Sequence, residues 1–161
     1  MSRKNKNSVL GIAYGGHDTS AALMINGELA SACAQERYSL DKHSRQFPID
    51  AINDCLSIGG ISISDIDQIA YCNDLPYWIR ERFLRPALES DQNLAYLVDN
   101  VESIKKVYEV EKLIREQTGY KGPIKQYRHH MCHLASAYYP SGFNDSVVTS
   151  YDGVGELQTI V

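Results

Sequence analysis

Apolar residues cluster in short runs near the amino end and take helical spacing further on. Val9–Tyr14 is a strand-length apolar run, ended by the turn signal Gly15-Gly16. Ser20–Ile25 is a second run, followed by Asn26-Gly27, the dipeptide that best supports a tight hairpin. Glu28–Ala34 then returns, so the chain is predicted to open with three consecutive antiparallel strands. After Pro48, residues Ile49, Ile52, Cys55 and Leu56 carry the spacing of an amphipathic helix, closed by Gly59-Gly60. Ile66–Cys72 predicts a fourth strand. Residues 74–119 mix charges with Tyr and Leu at helical spacing. Val107, Val110 and Ile114 form one face there and Gly119 offers a C-cap, which predicts two or three helices. A short strand is expected at Ile124–Tyr127 and a helix at His129–Tyr139, stopped by Pro140 and Gly142. Ser146–Tyr151 and Leu157–Val161 are expected as two more strands around an Asp152–Glu156 turn. Antiparallel strands followed by β/α alternation predict an α/β domain, with a mixed sheet and flanking helices. Residues 1–8 read as a flexible leader, and no repeat or low-complexity linker divides the rest.

Composition narrows the class. Of 161 residues, 43% are hydrophobic and 22% charged, ordinary globular values that exclude a disordered, collagen-like or coiled-coil chain. Sixteen Lys and Arg against 20 Asp and Glu leave a formal charge of −4. This balance argues against gripping nucleic acid by bulk charge, while leaving room for a local basic pocket. The four cysteines, at 33, 55, 72 and 132, form no CxxC pair. They do not make a disulfide framework, so a reducing, cytoplasmic setting is expected. No stretch approaches the ~20 apolar residues that span a bilayer, so no membrane partner is expected.

Candidate chemistry collects around the five histidines. In His129-His130-Met131-Cys132-His133, a helix would place His129 and His133 on one face as an i, i+4 pair with Cβ atoms about 5–6 Å apart. Two imidazoles so placed can share a metal ion, the mechanical basis of HExxH helices. The alternative is a pair of buried helix histidines bonded to backbone carbonyls. Two ligands are an incomplete shell, and Cys132 points off that face as a core residue. The loop Gly15-Gly16-His17-Asp18-Thr19-Ser20 offers amides and hydroxyls for an anion, together with acid/base groups in His17 and Asp18. It also reads as an ordinary hairpin turn. Asp152-Gly153-Val154-Gly155-Glu156 can hold a phosphate on its amides and a cation on Asp152, or be a common turn. Glu36-Arg37-Tyr38 with Lys42, His43 and Arg45 is a local basic patch, either an anion clamp or a solvated loop.

Taken together, GIAYGGHDTSAALMINGELASACAQERYSLDKHSRQFPIDAINDCL, HHMCHLASAYYPSGF and VVTSYDGVGE resemble the amino-terminal part of the nodulation-type O-carbamoyltransferases, which also decorate antibiotics and other natural products. The resemblance covers residues 9–59 and 124–156 and thins over 74–119. It implies a ribonuclease H-like lobe of the sugar kinase/actin superfamily. It also implies a reaction in which carbamoyl phosphate and ATP give a carbamoyl-adenylate, whose carbamoyl group passes to a hydroxyl of a small acceptor. On this resemblance His17 is the general base, with Asp18 beside it. His129 and His133 hold a divalent metal, Fe or Zn. Ser20, Lys42, His43, Asp152, Gly153 and Gly155 contact the nucleotide or other anions. Family members are several times longer, with a second lobe that adds a carboxylate ligand and a separate adenylate-forming domain. The chain is therefore expected to be an amino-terminal fragment, inactive alone and completed by the rest of a polypeptide or by another subunit. The competing readings are a metal- and nucleotide-binding subunit and a relative of the tRNA threonylcarbamoyladenosine enzymes.

Overall fold

In the computed structural model the described residues are 7–153, 157 and 160–161, with the side chain of Lys106 outside the description. In chain order they form β1 (Ser8–Ala13), β2 (Ser20–Ile25), β3 (Glu28–Ala34), α1 (Glu36–Ser39), α2 (Ile49–Gly59), a 3₁₀ turn (Ile63–Asp65) and β4 (Gln68–Tyr71). There follow α3 (Leu75–Ile79), a π-helical turn (Arg80–Leu84), α4 (Arg85–Ala87), α5 (Asp91–Asp99), α6 (Val101–Tyr108), α7 (Val110–Thr118), β5 (Ile124–Gln126), α8 (His129–Tyr138) and a final 3₁₀ turn (Tyr139–Ser141). These elements group into two compact units. The first runs to Cys72 and takes in Glu109–Lys125, and the second joins Asn73–Tyr108 to Gln126–Val161.

The first unit is built on one five-stranded mixed sheet, in the order β3-β2-β1-β4-β5. β1 and β2 are antiparallel, with Leu10 opposite Leu23. β1 and β4 are parallel, with Leu10 beside Ile69. The β2–β3 connection is the tight turn that Asn26-Gly27 predicts. Both residues take positive φ, 55° and 84°, as the twist-compatible two-residue hairpin demands. Alternation along β1 sends Ser8, Leu10 and Ile12 inward. Ala51, Ile52, Cys55 and Leu56 of α2 are buried, and the helix packs on β2 and β3. Gln35 is a buried polar residue whose amide nitrogen and oxygen are both hydrogen-bonded. Its Nε2 donates to Asp50 (2.7 Å), and its Oε1 accepts from the Ala51 amide (3.2 Å), fixing the first turn of α2. On α7, Val110 and Ile114 are buried, while Arg115 Nη1 donates to the carbonyl of Gly122 (2.9 Å).

The second unit is helical. Asp74 Oδ1 caps α3 by accepting the Tyr77 amide, and Ser90 Oγ caps α5 by accepting that of Asn93. Phe83 is buried between Trp78, edge-on at 5.0 Å, and Tyr96, stacked at 5.6 Å. The Arg128 guanidinium lies 3.9 Å over the Tyr77 ring, and the Leu75 amide donates to Gln126 Oε1. These contacts tie the chain just before α8 to α3.

Several expectations change. The sheet begins at Ser8, which is buried and bonded to Asp67, so Ser8 does not belong to a flexible leader; residues 1–6 of the expected leader lie outside the described residues. α1 is a helical turn that the sequence pattern did not indicate. The region from 74 to 119 holds more, shorter helices than expected, because Ser90 opens and Asn100 closes α5. Ser146–Tyr151 is not a ladder strand. Val147 is 94% exposed, and among the described residues pairing here is confined to one antiparallel bridge between Tyr151 and Ile160, so no ladder strand follows the fifth among those residues; most of the expected Asp152–Glu156 turn and of the expected strand Leu157–Val161 lies outside the described residues. No described helix is long and apolar enough to cross a membrane.

Gly59 ends α2 against the sheet, where an added Cβ would lie 2.4 Å from Leu23 Cδ2. Glycine to alanine within a helix ordinarily stabilises by about 0.5–1 kcal/mol. Leu23 is wholly buried and Ile25 Cδ1 lies 3.4 Å from the same added Cβ, so Gly59→Ala is expected to reverse that sign. The loss should be about 1–3 kcal/mol, the usual cost of overpacking, read from the midpoint of urea unfolding.

Candidate functional site

Among the described residues, two groups of histidine and carboxylate could hold an ion, one in each unit. They share a donor set and differ in geometry.

In the second unit, the 3.6-residue period of α8 brings His129 and His133 together on one face, edge to face with ring centroids 4.5 Å apart. Asp152 comes from the loop after Ser150. Its Oδ2 lies 2.9 Å from His129 Nε2 and 3.3 Å from His133 Nε2, and the two nitrogens are 3.0 Å apart. Burial raises the Asp152 pKa. The Gly153 amide on Oδ1, the hydrogen bond from His129 and the two nearby imidazoles outweigh that and hold it below its ordinary value. The carboxylate is thus ionised and acceptor-only. Protons do not satisfy all three contacts together. If His129 Nε2 carries the proton that Asp152 accepts, it has no lone pair left for His133. If it does not, its lone pair faces the carboxylate. A cation satisfies all three at once. For ligand bonds near 2.0–2.2 Å, neighbouring ligand atoms at tetrahedral to octahedral angles lie about 2.8–3.6 Å apart, and the three observed separations fall in that interval. His129 and Asp152 are half-buried and His133 is more open, leaving one side of the triangle accessible. His130, between them in sequence, is 3% exposed, and its Nε2 has no hydrogen-bond partner among the described residues.

In the first unit, the β1–β2 loop carries His17 and Asp18, and the segment after α1 carries Lys42 and His43. Asp18 Oδ2 meets His17 Nδ1 at 2.5 Å, and its Oδ1 meets His43 Nδ1 at 2.9 Å. Thr19, buried, fastens the two segments. Its amide donates to the Ser44 carbonyl (3.3 Å) and its Oγ1 to that of Gln46 (2.7 Å). Glu36 Oε2 accepts the His43 amide. Asp18 and His43 both adopt left-handed backbone, φ 59° and 57°, uncommon outside glycine but enriched in Asp and His.

The structure therefore brings His17, Asp18 and His43 into one group, and His129, His133 and Asp152 into another. Gly153 adjoins the second through its amide bond to Asp152. Ser20 begins β2, half-buried and paired with Ala13 and Ala34. Lys42 and Arg45 are exposed on the segment around His43. Gly155 lies outside the described residues. Two features escaped the sequence. One is that Asp152 completes the histidine pair within this chain; the only signal was that an Asp before glycine can take a cation. The other is that His43 turns toward Asp18, for which a separation of twenty-five residues gives no cue.

Hydrogen bonds from His17 and then His43 hold the Asp18 carboxyl below its ordinary pKa, against a smaller opposing effect of desolvation. A group shifted this way adds stability above its unfolded pKa and loses it as pH falls through the folded one. A carboxyl ¹³C titration should give a midpoint for Asp18 below that of a free aspartate, rising toward it in His17→Ala.

Comparison with known proteins places this geometry in context. The family model described as carbamoyltransferase N-terminus matches residues 8–161. An uncharacterised Synechocystis protein is 33% identical over 161 residues, covering 94% of this chain and 26% of the relative. The nodulation protein NolNO of Sinorhizobium fredii is 30% identical over 148 residues, covering 88% of this chain and 20% of the relative. The chain thus spans about a quarter or less of the length of these two relatives. With the family model matching from the first residue of β1 to Val161, the chain belongs to the carbamoyltransferase N-terminus family.

Proposed function

We propose that this chain is the part of a carbamoyltransferase that holds a divalent cation and supplies the base for moving a carbamoyl group to an acceptor hydroxyl. The observation that carries the reading is the His129–His133–Asp152 triangle, with ligand spacing, in a chain of this family. The sheet order β3-β2-β1-β4-β5, with an antiparallel trio and a parallel β1–β4 pair, supports a ribonuclease H-like lobe of the sugar kinase/actin superfamily.

The donor is a carbamoyl-adenylate formed from carbamoyl phosphate and ATP, a mixed anhydride whose nucleotide is a good leaving group. Transfer then needs orientation and removal of one proton. His17 takes the hydroxyl proton of a small acceptor. The acceptor oxygen bonds to the carbamoyl carbon, the bond from that carbon to the phosphate oxygen breaks, and AMP leaves with the electron pair. Asp18 accepts a hydrogen bond from His17 and stabilises the ring as it becomes cationic. His129, His133 and Asp152 hold the cation, Fe or Zn, both of which imidazole and carboxylate suit. When bound, it supplies Lewis-acid stabilisation of phosphate charge. Gly153 keeps the second oxygen of Asp152 occupied, so one oxygen faces the histidines. Lys42 offers an exposed ammonium to the anionic donor, and Ser20 stands at the end of the His17 loop. The formal charge of −4 favours this over a tRNA-modifying relative. A metal- and nucleotide-binding subunit completed by another polypeptide is the second reading, since the match spans about a quarter of the Synechocystis relative.

Metal analysis after reconstitution with Zn²⁺ or Fe²⁺ is expected to give one equivalent per chain. His129→Ala and Asp152→Asn should each weaken binding by roughly 100-fold or more, beyond the loss typical of a residue that merely orients a ligand. In the protein containing this chain, transfer of labelled carbamoyl from carbamoyl phosphate with ATP should fall by about 10²–10⁴-fold in His17→Ala, with metal content unchanged. Retained transfer in His17→Ala would remove it as the base, and binding of one metal equivalent undiminished by His129→Ala would remove the proposed cation site.

A further inference from the structure

We propose that His43 is a positioning residue that acts through Asp18 to fix the tautomer and orientation of His17. This inference rests on the reading of His17 as the base and adds the device that would poise it.

The geometry distinguishes this group from the triangle around Asp152. There, one carboxylate oxygen approaches two Nε2 atoms. Here the two imidazoles take different oxygens of Asp18, and both present Nδ1, at 2.5 and 2.9 Å. Those are lengths of charge-assisted hydrogen bonds. An ionised carboxylate only accepts, so each Nδ1 carries the proton it donates. In a neutral ring the other nitrogen, Nε2, then holds a lone pair. No described residue bonds His17 Nε2, and the His17 side chain is 66% exposed. That combination is what a base needs: a fixed ring with an open lone pair.

His17 and Asp18 alone would fix this poorly. They are adjacent in sequence, and a carboxylate held by one neighbour rotates about its own side chain. His43 pins the second oxygen. It arrives from twenty-five residues along the chain, on a segment tied down by the buried Thr19 and by Glu36. Asp18 and His43 both sit in left-handed backbone, a conformation in which Asp and His are enriched among non-glycine residues.

The test is long-range ¹H–¹⁵N NMR of the histidine rings in this chain at a pH where they are neutral. His17 should appear as the Nδ1–H tautomer. His43→Gly removes the ring while tolerating positive φ, and should shift His17 toward Nε2–H. His43→Asn, which keeps a side-chain N–H and also tolerates positive φ, should restore Nδ1–H. Such rescue is not expected of a residue that only supports the loop. In the protein containing this chain, His43→Gly should lower kcat roughly 10–100-fold with KM little changed, the scale of losing a group that orients a functional side chain.

An Nε2–H His17 in the parent chain, or a His17 signal unmoved by His43→Gly, would overturn the proposal. So would Zn²⁺ titration of His129→Ala showing one tight equivalent lost again on adding His43→Gly, which would make the group a cation site. The two readings fail separately. A tautomer pattern as expected with turnover surviving His17→Ala removes the base and leaves the positioning. Turnover lost in His17→Ala with the tautomer indifferent to His43 removes the positioning alone.

Discussion

β1 is the strand on which the first unit depends. It lies at the centre of the sheet, with an antiparallel partner on one side and a parallel one on the other. Both edges of its backbone are therefore satisfied within the fold, and Leu10 and Ile12 anchor one face in the core. The loop that leaves β1 carries His17 and Asp18, and its return into β2 is fixed by the β1–β2 register. The positions of these two residues are thus set by strand pairing more than by the loop itself. Thr19 completes the arrangement: the first buried residue after the loop, it spends its amide and hydroxyl on the backbone of Ser44 and Gln46.

The two histidine–carboxylate groups show how one set of residue types adopts different geometries. Around Asp152 the acceptor atoms converge, and fixed protons leave one contact unsatisfied. Around Asp18 they spread over two oxygens, and every contact is met by an N–H. The first arrangement suits a cation and the second suits proton handling. Exposure follows the same division, since His129 and Asp152 are about a quarter exposed while His17 and His43 are largely open. Partial burial strengthens the electrostatics of a cation site, whereas an open ring nitrogen can meet a substrate hydroxyl.

Much of the fold was legible in the chain. The three-strand opening, the Asn26-Gly27 hairpin, α2 ending at Gly59 and the helix that brings His129 and His133 onto one face all follow from local period and turn chemistry. Prediction failed where it needed a partner. The run Ser146–Tyr151 has strand composition, but strand formation requires a neighbouring ladder, and Val147 is left open. α1 is only four residues long, too short to show a period. The helices between 74 and 119 are divided by capping side chains, a weaker signal than the apolar pattern running across them.

The amino-acid sequence by itself determined the i, i+4 histidine pair, the adjacent His17 and Asp18, the hairpin and the likeness to carbamoyltransferases, because each depends on neighbours within a few residues or on whole motifs in order. Only the tertiary structure decided that Asp152 closes on His129 and His133, and that His43 reaches Asp18. Those contacts join residues nineteen or more positions apart, and sequence spacing carries no distance across a loop. Which carboxylate oxygen meets which ring nitrogen is fixed by backbone paths and buried anchors such as Thr19. It is that choice of atoms that separates the converging triangle around Asp152 from the two-sided arrangement around Asp18.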